Sequence, residues 1–137
     1  MPNELLVIDD AEVHLSILRR IAAQAGFATT GVDSVEAATA MLRKRSFDCI
    51  TLDLNLGERC GTEILKLLAE LKCSTPILII SASDDHTRDV IGCAAKIHGL
   101  NVYPPISKPV DLRALRQTLK QIADEAGRER IETVAAR

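Results

Sequence analysis

Short unbroken apolar runs alternate with amphipathic helical patterns along this 137-residue chain, and that alternation constrains its fold more than any other feature. Leu5-Leu6-Val7-Ile8 is a continuous apolar run of strand length. Val13, Ile17 and Ile21 follow at helical spacing, and Gly26 stops that helix. Residues 28–32 read as a short second strand. Asp33, with Glu36 three residues on, is a capping-box-like start for a helix through Arg45, with Asp in place of Ser or Thr. Residues 47–53 (FDCITLD) read as the third strand, and Gly61 opens a helix with Ile64, Leu68 and Leu71 on its apolar face. Residues 76–81 (PILIIS) form a fourth strand whose apolar content predicts burial on both faces. Asp84 or Asp85 can cap a fourth helix toward His98. Residues 100–106 are a weaker fifth strand, interrupted by Pro104-Pro105. Asp111 caps a last helix with Leu112, Leu115, Leu119 and Ile122 along one stripe. Five strand–helix units predict a parallel sheet with helices on both faces, because right-handed crossovers carry each strand to the next.

The length suits one domain, expected over residues 4–124. Residues 125–137 are charged and Ala-rich and read as a tail or frayed helix, with no output domain. The formal net charge of −2 argues against a basic nucleic-acid glove. The only rings are Phe27, Phe47 and Tyr103, too few for a base-stacking surface. Apolar residues make up 47%, which excludes disorder. No leader pattern and no run of roughly 20 apolar residues occurs, so membrane insertion is not expected. Cys49, Cys60, Cys73 and Cys93 are spaced by 11, 13 and 20 residues, without a CxxC pair. They read as cytoplasmic free thiols, with Cys49 and Cys93 buried, rather than as a zinc or disulfide framework. His14, His86 and His98 are scattered and read as surface or helix residues.

In an open α/β sheet, ligands bind beyond the carboxyl ends of the strands at the topological switch point. Here the first strand ends in Asp9-Asp10, the third in Asp53 and the fourth in Ser81, while the fifth runs into Lys108-Pro109. Taken singly, each has an ordinary explanation as a loop acid, a turn serine or a solvated lysine. Together they gather three carboxylates, a hydroxyl and an ammonium. Three close carboxylates repel one another and invite a divalent cation, with hard oxygen ligands suiting Mg²⁺. One Asp is then available as a nucleophile, and a phosphoryl group would need the cation, the ammonium and the hydroxyl on its oxygens. This inventory matches phosphoryl transfer to an aspartate.

Five segments carry a resemblance to the receiver domain of bacterial two-component response regulators: VIDD (7–10), LDLNL (52–56), Gly61, ISAS (80–83) and SKPV (107–110). The intervals of 44 residues from Asp9 to Asp53, 28 to Ser81 and 27 to Lys108 are close to that family's pattern. The resemblance implies a flavodoxin-like (βα)5 doubly wound parallel sheet with strand order 2-1-3-4-5. It implies Asp53 as phosphoacceptor and Mg²⁺ (or Mn²⁺) held by Asp10 directly, Asp9 mainly through water, Asp53 and the backbone carbonyl of Asn55. Ser81 would bind a phosphoryl oxygen and move toward it on activation. Lys108 would pair first with Asp53 and then with the phosphoryl group, and the Lys108–Pro109 bond would be cis. The donor would be a phosphohistidine on a sensor histidine kinase or phosphotransfer protein. The domain would catalyse both its own phosphorylation and autodephosphorylation at Asp53. Asn55 and Ser83, which flank the hydrolytic water's route in this family, are small and polar and imply an ordinary phosphoryl lifetime. Signalling would pass to a downstream protein through the face of the fourth helix, fifth strand and fifth helix, where such domains also form homodimers.

Two positions depart from the family pattern. The aromatic switch residue usually found three residues before the lysine is Pro105 here, and the nearest ring is Tyr103, a candidate substitute. Gly57 stands where many members have Pro. The HGLNV segment (98–102) weakly resembles receivers attached to cyclic-dinucleotide phosphodiesterase domains. The leading expectation is a stand-alone phosphorylatable receiver. Alternatives are a receiver-like binding module that does not switch, or a receiver fragment of a larger regulator. A phosphatase of the haloacid-dehalogenase type lacks its DxD pair, since only Asp53-Leu54-Asn55 has that spacing. A dinucleotide-binding reading fails for want of GxGxxG after the first strand.

Overall fold

The computed structural model describes the backbone of residues 3–56, 59–81 and 98–135, and the side chains of residues 3–56, 61–80 and 98–128. The expected fourth helix with its caps at Asp84 or Asp85 lies outside the described residues, as do Gly57 and the side chains of Cys60, Ser81, Ser83, His86 and Cys93.

Five strands form one parallel sheet: β1 (Asn3–Ile8), β2 (Phe27–Val32), β3 (Cys49–Leu52), β6 (Ile77–Ser81) and β7 (Ile106–Ser107). Their order is β2-β1-β3-β6-β7. With the small antiparallel hairpin β4 (Asn55–Leu56) and β5 (Arg59–Cys60) set aside, this is the expected 2-1-3-4-5 arrangement. The helices are α1 (Glu12–Gln24), α2 (Val35–Lys44), α3 (Thr62–Glu70) and α4 (Leu112–Ala135).

The period of two along each strand divides the core between the faces of the sheet. Leu6, Ile8, Ile50, Leu52, Ile77 and Ile79 pack with Val35 and Ala38 of α2 and Ile64 and Leu68 of α3. Leu5, Val7, Cys49, Leu78 and Ile80 point the other way, onto Leu18 and Ile21 of α1 and Leu115 and Leu119 of α4. β1, β3 and β6 therefore have no solvated face, as the apolar run in residues 76–81 requires.

Several local expectations shift. α1 buries Leu18, Ile21 and Ala22, while Val13 is 70% exposed and Ile17 38%. The spacing was helical, but the core stripe runs one residue further around. In α3, Leu65 and Leu67 join Ile64 and Leu68 in the core, and Leu71, just past the helix, is 41% exposed. The N-cap of α2 is Ser34 rather than Asp33, because its Oγ accepts the Ala37 N–H at 3.1 Å. Asp111 does cap α4, its Oδ1 accepting from the backbone N–H groups of Arg113 and Ala114. That helix continues through Ala135, although the apolar stripe fades after Glu125. The fifth strand of the sheet is reduced to Ile106–Ser107, with a separate bridge from Val102 to Ile77. Pro104 and Pro105 lack the N–H donors a continuous ladder would need. Among the described residues, no helix is long and apolar enough to cross a membrane.

Candidate functional site

The chain leaves β1 for β2 on one side and later enters β3 on the other, so the carboxyl ends of β1 and β3 flank the switch point of the sheet. The register fixes what lies there. Asp53 donates its backbone N–H to the Ile8 carbonyl at 2.9 Å, which sets the turn after β3 directly beside the turn after β1. Asp9 and Asp53 are both buried, at 2% and 4% exposure. Each carboxylate is aimed by a backbone N–H two residues on: Ala11 donates to Asp9 Oδ1 and Asn55 to Asp53 Oδ1, both at 2.9 Å.

Lys108, delivered by the segment after β7, reaches into this pair. Its ammonium lies 2.8 Å from Asp53 Oδ2 and 3.6 Å from Asp9 Oδ2. The Lys108–Pro109 bond is cis. Ser81 ends β6 in register with Ser107, adjacent in sequence to Lys108. Asp10, which follows Asp9 in the chain, is exposed, and Asn55 is exposed at the start of β4. Gly61, the N-cap of α3, packs under the Asp53 turn and donates its N–H to the Leu54 carbonyl at 2.7 Å. A groove of about 230 Å³ opens alongside, lined in part by Asp9, His14, Ile17, Lys108, Val110 and Leu112.

The sequence reading missed His14, which it took for an ordinary helix residue. Its Nδ1 is 3.0 Å from Lys108 Nζ and 3.4 Å from Asp9 Oδ2. The available signal was topological: the first turn of the helix leaving a switch-point strand stands over the site. Tyr103 lies away from this cluster. It packs at the edge of the α1/α4 core, and its hydroxyl donates to Glu125 Oε2 at 2.8 Å.

The two buried carboxylates of Asp9 and Asp53 face a single ammonium, and the exposed Asp10 adds a third carboxylate next in the chain to Asp9. Such a surplus fits one divalent cation, and the hard oxygen donors of Asp9, Asp10 and Asp53 suit Mg²⁺. The nearby ammonium and the polar strand ends suit a transferring phosphoryl group.

The response regulator receiver domain model matches residues 5–120. The transcriptional regulatory protein SrrA of Staphylococcus aureus is 27% identical over 129 residues, which is 92% of this chain and 53% of SrrA. The chain thus spans about half the length of the curated relatives it matches. A response regulator from Burkholderia pseudomallei, solved with a phosphorylated aspartic acid and a calcium ion, superposes with a TM-score of 0.72 at 25% identity, covering 93% of this chain and 72% of that one. A CheY-like receiver domain from Methanospirillum hungatei shares the fold with a TM-score of 0.79 at 22% identity, covering 94% and 99%. The fold, the strand-end cluster and the match over residues 5–120 converge: the chain belongs to the response regulator receiver domain family.

Proposed function

We propose that this chain accepts a phosphoryl group on Asp53 from a phosphohistidine donor, a sensor histidine kinase or a phosphotransfer protein, in the cytoplasm. The observation that carries the reading is the buried Asp53 carboxylate with Lys108 at 2.8 Å and Asp9 beside it. Asp53 Oδ1 accepts the Asn55 N–H and Oδ2 faces Lys108, and we assign Oδ2 as the attacking oxygen. A bond forms from Oδ2 to phosphorus, the donor's P–N bond breaks, and the electron pair leaves with the imidazole. Lys108 then turns its ammonium from Oδ2 to the phosphoryl oxygens, and the Ser81 hydroxyl is assigned as a further donor.

Asp10 and Asp53, with Asp9 through water and the Asn55 backbone carbonyl, are the residues that would hold Mg²⁺ or Mn²⁺. The bound ion supplies charge neutralisation between the incoming phosphoryl group and the carboxylates. Ser81 and Tyr103 are the switch candidates. The Tyr103 hydroxyl would have to leave Glu125 to take that part. The phosphorylated form signals to a downstream protein through the surface of β7 and α4 with the segment that precedes them.

Incubation with Mg²⁺ and acetyl phosphate, followed by intact mass measurement, tests the reading. The expected result is one added phosphoryl group on the wild type and none on Asp53→Asn. No addition to the wild type, or equal addition to the variant, would overturn it.

A further inference from the structure

We propose that Asp9, His14 and Asp53 form a second cation site, one that takes a borderline transition-metal ion such as Zn²⁺ in place of the Lys108 ammonium. The three side chains already converge on a cation. Lys108 Nζ lies 2.8 Å from Asp53 Oδ2, 3.0 Å from His14 Nδ1 and 3.6 Å from Asp9 Oδ2. One ligand atom from each of the three residues lies within 4.8 Å of the others.

The proposed site uses His14 Nδ1 as an acceptor: a lysine ammonium has only donors, and a ring with its proton on Nε2 offers Nδ1 to Lys108. That is the form in which Nδ1 can ligate a metal.

One edge of the site already has the spacing of a small tetrahedral ion. Two ligands about 2.1 Å from such an ion stand about 3.4 Å apart. His14 Nδ1 and Asp9 Oδ2 are separated by 3.4 Å without any movement. The backbone N–H groups of Ala11 and Asn55 hold the other oxygens of the two carboxylates and so orient the ligating ones. The His14 side chain is 42% exposed and gives an ion a way in, while a water can complete the fourth position. Two carboxylates and a neutral imidazole balance a dication.

An imidazole ligand shifts preference away from Mg²⁺, which favours oxygen, toward Zn²⁺ and its neighbours. This site uses His14 and leaves out Asp10, and it expels Lys108. On the phosphotransfer reading above, Zn²⁺ and the phosphoryl group therefore exclude one another.

Calorimetric titration of the full chain with Zn²⁺, and separately with Mg²⁺, tests the site with no phosphoryl donor present, so its outcome is independent of whether Asp53 is phosphorylated. The variants are His14→Gln, which keeps an acceptor for Lys108 but has no imidazole, and Asp10→Asn. Co²⁺ absorption serves as a second readout, because thiolate ligation by a cysteine would add a sulfur charge-transfer band. The expected result is one Zn²⁺ per chain, no sulfur band, and roughly a tenfold or greater loss of Zn²⁺ affinity in His14→Gln. Mg²⁺ affinity is expected to fall in Asp10→Asn and to hold in His14→Gln. Absence of Zn²⁺ binding, equal Zn²⁺ affinity in wild type and His14→Gln, parallel loss of both ions in that variant, or a sulfur band would each overturn the proposal.

Discussion

Gly61→Ala and Gly127→Ala make the same chemical change and should have opposite effects. Gly61 has an ordinary helical φ of −61°, so its backbone does not require glycine. The constraint is space. A Cβ at position 61 would stand 2.7 Å from the backbone oxygen of Asp53 and 3.1 Å from the Leu54 Cα. Restoring an ordinary contact needs a displacement of roughly 0.7 Å. The obstructing atoms are backbone, and the Gly61 N–H is bonded to the Leu54 carbonyl at 2.7 Å, so the two segments cannot separate without stretching that bond. Overpacking of this kind costs about 1–3 kcal/mol. Loss of glycine's backbone entropy returns a part of it, up to about 1 kcal/mol. At position 127, inside α4, a Cβ meets no heavy atom within 4 Å. Alanine there should stabilise by about 0.5–1 kcal/mol. For a domain of this size each kcal/mol moves the midpoint by about 3–5 °C. Thermal unfolding followed by circular dichroism should show Gly61→Ala several degrees below wild type and Gly127→Ala a few degrees above. The Asp53 turn must move to admit the methyl group, so phosphoryl uptake from acetyl phosphate should slow on the order of tenfold in Gly61→Ala. A Gly61→Ala protein as stable as wild type, with unchanged uptake, would refute the reasoning.

Four further outcomes follow from single contacts. Ser34→Ala removes the α2 cap and should cost about 1 kcal/mol in urea unfolding, whereas Asp33→Ala should cost less. Burial, with a smaller contribution from the charge of Asp48, pushes the Cys49 thiol up to about 12. Iodoacetamide at pH 8 should therefore label half-buried Cys73 while Cys49 stays unmodified until the protein unfolds, as peptide mass mapping would report; early labelling of Cys49 would contradict its burial. Tyr103→Phe removes the hydroxyl bonded to Glu125 and should destabilise by about 0.5–1.5 kcal/mol, a loss that a double-mutant cycle with Glu125→Gln would assign to the pair. Mg²⁺ at 100 times its dissociation constant should stabilise the fold by about 2.7 kcal/mol, and a Mg²⁺-independent midpoint would count against cation binding.

Much of this architecture was legible because parallel sheets impose strong local rules. Strands buried on both faces must be apolar throughout, so Leu5 to Ile8 and Ile77 to Ile80 announce themselves. The acids that end β1 and β3 sit where the chain must leave the core, and the topology then brings Asp9 and Asp53 together. What was not legible depends on angles and distances with no signature in composition. Val13 and Ile17 have the right spacing for a core stripe, yet the rotation of α1 about its axis turns them out and places Leu18 inside. The cap of α2 falls on Ser34, whose Oγ accepts the Ala37 N–H, one residue after the expected Asp33, because the helix starts one residue later than the pattern indicates. Pro104 and Pro105 announced an interruption, but not how little of β7 would survive it. His14 was opaque for the same reason as Val13: its place beside Lys108 and Asp9 depends on where the first turn of α1 points, and the neighbouring residues do not encode that.

Lys108 decides how the charges at this site can be used. Its side chain is 18% exposed, and its ammonium stands within 3.6 Å of three acceptors on three different side chains. It neutralises only part of the charge, since one positive group faces the buried Asp9 and Asp53, and the exposed Asp10 follows Asp9 in the chain. A lysine stem is flexible, so the ammonium can follow a new anion at little cost. An arriving phosphoryl group brings negative charge and draws Lys108 toward it, which favours a second cation at the carboxylates. A dication entering at His14 does the reverse, because it takes over the atoms that hold Lys108 and pushes the ammonium out. The two events place opposite demands on one side chain. The contact between His14 and Lys108 is therefore where competition between metal and phosphoryl group would be decided.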